Sequence, residues 1–424
     1  MFIKNFFGFS NEILNKIDLI ESQCESIFKE IDKIQDYNQQ KILSAFIKNK
    51  VCATDFSGST GYGYSDQGKD KLDRVFADIF GAQDALVRHN FVCGTHALST
   101  ALFGLLRPGE KLLSITGIVY DTLREVIGLG DLKTDQGSLK DFGILYDQVD
   151  LKPDGSFDLN IINQKLKNNN IKIVYIQRSR GYSLRPSVDI NKIKNIIEFI
   201  KNIDNNIIIL IDNCYSEFVE ILEPTDVGAD LIVGSLIKNP GGGVAKTGGY
   251  IVGRADLVEK CSFRLTAPGL GKEVGCTFDE LREMFLGLFL SPQAVSGALK
   301  TAILAAGLFE KMGYEVFPRF SEKRSDIVQA IKLGSEDKII AFCKGIQKCS
   351  PIDSFVTPVP WEMPGYNNKI IMAAGAFTMG ASIELSADAP IREPFAVFLQ
   401  GGLTYSSGKI GVISAAEEIN KIKN

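Results

Sequence analysis

Apolar positions along the chain fall into two rhythms. Ile13, Ile17, Ile20, Ile27, Ile31, Ile34 and Ile42 recur at near-helical spacing among Lys, Glu and Asn. They predict one or two amphipathic helices over residues 10–50, opened by Ser10 with Asn11 and Glu12 behind it. From about residue 70 the rhythm shortens. Helices are expected at 72–80, 97–106 and 190–200, and strands at 85–87, 111–115, 171–176, 207–211, 231–234 and 249–253. The runs at 171–176 and 207–211 are continuously apolar rather than alternating. A strand reads that way when helices cover both faces of a parallel sheet. A long helix is expected at 291–311; then come Pro318, Pro351, Pro358, Pro360 and Pro364, several short strands and a closing helix from Ala415. The glycine-dense stretch 57–64 breaks regular structure and reads as a loop, in which Tyr62 and Tyr64 suggest aromatic groups placed against something.

The expected architecture is therefore α/β, a mostly parallel sheet between helices with a smaller C-terminal α+β domain. The expected divisions are a helical arm at 1–53, a large domain at 54–290, and a linking helix with the small domain at 291–424.

Composition narrows the function. With 51 acidic against 47 basic residues the net charge is -4, and the lysines are scattered, so no electrostatic footprint for nucleic acid exists. The two histidines, His89 and His96, allow neither an HExxH motif nor a three-histidine zinc site, and no metal is expected. Neither follows a G-x-S-x-G elbow. Eight cysteines are spread singly, which reads as reduced thiols in the cytoplasm. No uninterrupted apolar run reaches the ~20 residues that span a bilayer, so no membrane is expected.

Three places carry chemistry, all at the carboxyl ends of expected strands, where open α/β sheets bind ligands. Asp212 ends the 207–211 run abruptly, as a site carboxylate or as a turn or cap residue. Residues 234–243, Gly-Ser-Leu-Ile-Lys-Asn-Pro-Gly-Gly-Gly, deliver Ser235 and Lys238 from a strand, then three glycines that clear side chains from around the amine. A partly desolvated lysine there has the lowered pKa that a Schiff-base amine needs, although a solvated turn lysine fits the segment alone. Cys93, Gly94 and Thr95 open a small-residue helix, an anion site or a plain cap. Taken together, a phosphate cradle, a strand-end carboxylate and a lysine on the next strand match what pyridoxal phosphate requires: amides for its phosphate, an anion for its ring nitrogen and an amine for its aldehyde. Tyr120, after Ile118 and Val119, is placed to lie over the ring, or to be a core tyrosine.

From about Thr54 onward the chain resembles fold-type I pyridoxal-phosphate enzymes of the Cys/Met-metabolism branch, and within them the methionine gamma-lyase-like, or aluminium resistance, proteins. Four segments carry the resemblance: 212–218, 234–243, 176–182 and 382–390. The resemblance implies Lys238 as Schiff-base lysine, Asp212 as pyridinium partner, Gly94, Thr95 and Ser235 at the phosphate, and Tyr120 as the stacking aromatic. Tyr64 falls where the lyases place a tyrosine on the neighbouring subunit's phosphate, which implies a homodimer or homotetramer with shared sites. The implied activity is elimination of a thiol from methionine, cystathionine or cysteine, with Tyr120 or Tyr64 as proton donor to the sulfur. An aminotransferase-type reaction, or cofactor binding without catalysis in stress tolerance, stays open.

Departures from the lyase pattern are specific. Asp66 stands where the lyases have Arg, and Ile237 where they have a hydroxyl residue, leaving phosphate contacts to Arg178 or Arg180. For the substrate carboxylate Arg392 is the candidate, with Lys409 nearer the lyase pattern.

Overall fold

The computed structural model describes residues 2–130, 136–168 and 170–422. Its large sheet has seven strands: β1 (Asp84–Arg88), β2 (Lys111–Ser114), β3 (Leu145–Gln148), β4 (Ile171–Gln177), β5 (Ile208–Asp212), β6 (Leu231–Ser235) and β7 (Gly249–Gly253). They lie in the order β1-β7-β6-β5-β4-β2-β3. The pairs from β3 through β6 are parallel, and β7 runs antiparallel to both β1 and β6. Continuous apolarity has the expected cause: every residue of β5 and of β6 is buried between helices on the two faces. The edge strand β3, with Leu145 half exposed, was not expected because a four-residue edge has no buried pattern to display.

A second, antiparallel sheet follows. Its strands are β8 (Glu315–Phe317), β9 (Gln329–Lys332), β10 (Ile370–Ala373), β11 (Ser386–Pro390) and β12 (Ala396–Gln400), in the order β10-β11-β12-β9-β8. The helix Glu336–Lys348 packs against it, and Tyr405–Asn420 packs on that helix. The last helix begins at Tyr405, capped by the Thr404 hydroxyl, ten residues before its expected start; Gly408 and Gly411 hid the first turns.

The N-terminal pattern forms one helix, Asn11–Lys48, and Ser10 Oγ accepts from the Ile13 amide at its start. It lies along a second long helix, Leu281–Lys311, which starts ten residues earlier than expected. Pro292 reads as a helix opener, yet it lies inside. Proline lacks the N–H that would bond to the carbonyl four residues back. That carbonyl belongs to Leu288, and Ser291 Oγ donates to it at 2.7 Å. A Ser291→Ala protein should therefore leave a buried carbonyl unmet and lose about 1–3 kcal/mol of stability, measurable by urea unfolding. By length and composition this helix alone, among the described residues, could cross a membrane, and 78% of its most apolar window is buried inside the protein.

Candidate functional site

The carboxyl ends of β4, β5 and β6 face β10, β11 and β12 across a cavity of about 390 Å³. Gly94, Thr95, Tyr120, Asp212, Ser235 and Lys238 all line it. The sequence separates these residues by up to a gap of 92 positions; the parallel order of the sheet brings them together.

Asp212 is the last residue of β5, in register with Gln177 on β4. Its Oδ1 accepts from the Cys214 amide at 3.1 Å and its Oδ2 from the Tyr175 hydroxyl at 3.2 Å. Burial pushes its pKa up, against the Cys214 bond and the Lys238 charge. Such a carboxylate gains most from a permanent cation at close range.

Lys238 follows β6 by three residues, with Nζ 3.4 Å from the centroid of the Tyr215 ring. Burial alone would lower its pKa, but Tyr215, Cys214 and Asp212 overcome it and hold the ammonium above the ordinary lysine range. This corrects the lowered value expected for an isolated desolvated amine: the lysine's partners in the cavity, the Asp212 carboxylate among them, outweigh burial. The three glycines have another task as well. A Cβ at Gly241 would lie 1.6 Å from the Leu236 carbonyl oxygen, and one at Gly242 (φ +56) would lie 2.3 Å from that of Gly287. They let the lysine loop close against the Leu281–Lys311 helix rather than clear space around the amine.

The helix Gly94–Leu105 opens at the cavity. Thr95 Oγ1 lies 3.0 Å from the Tyr120 hydroxyl and 2.9 Å from Thr122 Oγ1. Tyr120 is held by its own amide, which donates to Gln177 Oε1 at 3.1 Å. Burial, then the nearby Asp212, raises its phenol well above the usual value, so it keeps its proton. His96 Nδ1 accepts from the Val92 amide, a local loop bond.

Five sequence candidates, Arg178, Arg180, Tyr64, Arg392 and Lys409, lie elsewhere. Arg178 is fully buried behind the sheet end: its guanidinium pairs with Glu220 at 2.7 Å and Glu223 at 3.6 Å and donates to Asn213 Oδ1 at 2.9 Å. It does not line the cavity, so the expected phosphate contact from Arg178 is corrected to a buried ion cluster. Tyr64 is 61% exposed and stacks on Tyr62 with ring centroids 5.5 Å apart, outside the cavity of its own chain. Arg392 is exposed, bonds Asn368 at 3.2 Å, and lines a neighbouring cavity of about 630 Å³ together with Arg124, Arg180 and Arg185. Tyr120, Asp121, Gln177 and Tyr182 line both cavities. Lys409 is paired with Glu21 at 2.7 Å on the closing helix and does not line the main cavity.

Sequence reasoning missed Tyr215, Tyr182, Tyr366 and Asp388, which also line the cavity. Tyr215, at φ +71, holds a backbone conformation that side chains disfavour, and nothing in its neighbours signals it. Asp388 had a signal, a lone carboxylate amid the small residues of 386–390.

A central, mostly parallel sheet with its helices and a C-terminal antiparallel sheet make up the fold class of the fold-type I pyridoxal-phosphate enzymes. Within that class the chain belongs to the methionine gamma-lyase family, whose model matches residues 13–420. It is 50% identical over 409 residues to the uncharacterized protein YnbB of Bacillus subtilis (strain 168), covering 96% of this chain and 97% of that one. It is also 50% identical to the crystal structure of a carbon–sulfur lyase involved in aluminum resistance from Clostridium novyi NT, with TM-score 0.94 and 98% of each chain covered. The pyridoxal-5'-phosphate-dependent protein YhfS of Escherichia coli shares the fold, with TM-score 0.61 at 17% identity over 92% of this chain and 97% of that one.

Proposed function

We propose that this protein is a pyridoxal-phosphate-dependent lyase that breaks the carbon–sulfur bond of a sulfur-containing amino acid of the methionine, cystathionine or cysteine class. The observation that carries the reading is Lys238 and Asp212 in one cavity with Ser235 and the start of the helix Gly94–Leu105 beside them. The residues fit the group. Ser235 Oγ is buried and has no hydrogen-bond partner. A Cβ at Gly94 would come within 3.3 Å of Cys214 Sγ and 3.4 Å of the Ser235 Cβ, so glycine keeps the backbone open to a bound group there. Asp212 offers a carboxylate that burial leaves short of a cation.

Bound, pyridoxal phosphate supplies an aldehyde for a lysine amine and a ring that takes up the electron pair of a broken Cα–H bond. Gly94, Thr95 and Ser235 would hold its phosphate, Asp212 would pair with its ring nitrogen, and Tyr120 would pack on the ring. Lys238 would hold the group through its amine and, when free of it, would take the α-proton at Nζ. Tyr120, a phenol that burial keeps protonated, donates to the departing sulfur. Arg392, on the adjoining cavity, meets the substrate carboxylate. The exposed pair Tyr62 and Tyr64 suits a surface covered by a second copy, and the partner subunit's Tyr64 would reach the phosphate in a homodimer or homotetramer. All eight cysteines are free, which supports a cytoplasmic setting.

The test is product analysis on the purified protein loaded with pyridoxal phosphate. A thiol, ammonia and a 2-oxo acid from at least one sulfur amino acid support the reading, whereas amino-group transfer without thiol overturns it. A Ser235→Ala protein should bind the cofactor roughly 10- to 100-fold more weakly, because one charge-assisted hydrogen bond is lost. Equilibrium titration of cofactor absorbance measures it.

A further inference from the structure

The second sheet brings to this cavity a carboxylate to which the mechanism above gives no task. Asp388 is the middle residue of β11, 3% exposed, between Met372 of β10 and Phe398 of β12. Gln400 Nε2 donates to its Oδ2 at 3.2 Å, while Oδ1 is buried without a hydrogen-bond partner. Among the described residues, Lys238 is the only lysine or arginine lining this cavity; of its three carboxylates Asp121 has Arg124 at 3.8 Å, which leaves Asp212 and Asp388 to share one ammonium. With the lysine engaged by the cofactor and Asp212 on the ring nitrogen, Asp388 has no cation left. A buried carboxylate in that position must bind a proton or meet a new cation. An entering amino acid carries one, and its nitrogen has to lose a proton before it can attack.

We propose that Asp388 receives the α-ammonium of the incoming amino acid and takes its proton. One N–H bond of the substrate breaks and an Oδ1–H bond forms on Asp388; the freed nitrogen electron pair would then bond to the cofactor's aldehyde carbon as that carbon's bond to Lys238 Nζ breaks, the lysine leaving as a neutral amine. The inference rests on the reading of this cavity as a pyridoxal-phosphate site and deepens it. The groups facing Asp388 support the assignment. Lys238 approaches from the β6 loop, and Tyr182, Tyr215 and Tyr366 surround it. Cys343 lies on the helix behind the sheet, where burial keeps its thiol protonated. Burial also raises the three phenols, Tyr366 to about 12, so none of them is a base near neutrality. Burial pushes Asp388 up to about 6, against the Lys238 charge and a Tyr182 hydrogen bond. That is the range in which a general base works at neutral pH.

The experiment compares wild type with Asp388→Asn, which keeps the shape and removes the basic oxygen. At pH ~7 the variant's kcat/KM should fall by about 10²-fold, the scale of one general base. The deficit should shrink below about tenfold by pH ~9.5, where the free amine has lost its own proton and needs no base. The wild-type acid limb should lie above pH ~6, because the loaded enzyme lacks the Lys238 charge that holds Asp388 down, and it should vanish in the variant. Calorimetry on the loaded proteins should show 4-(methylthio)butanoate, which lacks the amine, binding both equally, and methionine binding the variant more weakly. A deficit constant across pH, or equal weakening of both ligands, overturns the proposal. Failure of the lyase reading looks different: wild type would shift its cofactor absorbance on adding amino acids yet release no thiol. The rate of that shift in the two proteins then decides the role of Asp388.

Discussion

A Lys238→Ala protein loaded with pyridoxal phosphate is expected to lose at least ~10⁴-fold in thiol release, because one amine serves as both anchor and proton carrier. The loss should lie in kcat rather than KM, and added methylamine should restore a fraction of it. Circular dichroism should be unchanged, since Nζ lies over the Tyr215 ring in the cavity and Lys238 lines that cavity. Turnover at the wild-type rate would show that the cavity works without a Schiff base, and the proposed function would fall with it.

The second large effect is on stability. Arg178→Ala should cost about 3–5 kcal/mol, the usual penalty for removing one partner of a buried ion pair. Its guanidinium sits 2.7 Å from Glu220 and 3.6 Å from Glu223 and also donates to the carbonyls of Val188 and Ser216. Glu220 retains Lys323 at 2.8 Å, so Glu223 bears most of the loss. Burial already raises the Glu223 pKa, and Arg178 opposes that rise. Without the arginine the folded-state pKa climbs further above the unfolded one. A carboxylate raised in that sense favours the folded state at low pH and loses that contribution as pH rises through the folded pKa. The destabilisation should therefore be smaller at pH ~5 than at pH ~8 in urea unfolding. A phosphate ligand would behave differently, weakening cofactor binding and leaving the apoprotein's stability intact.

These two residues mark how far the sequence could be read. Lys238 and Asp212 were legible because a continuous apolar run that ends in a charged or polar residue announces a strand exit, and strand exits in such sheets converge. Arg178 also follows a strand exit, β4, and the same logic misled. The side chain one residue beyond the strand points to the far side of the sheet end, where two glutamates from 220–223 receive it. Alternation of side chains from one face to the other decides this, and the pattern of an all-apolar strand does not reveal which face carries the ligand.

Taken alone, the chain's apolar rhythm determined the α/β class, six of the seven large-sheet strands to within one residue at either end, and the family-like motifs that carry Asp212 and Lys238. Burial between helices selects residue types locally, so local patterns report it. The placement of Asp388 opposite Lys238, the diversion of Arg178 into an ion cluster, and the upward direction of the lysine pKa were decided by tertiary structure. Each depends on the charges that a remote segment brings within a few ångströms, and Coulomb energy in a buried cavity follows distance in space rather than along the chain.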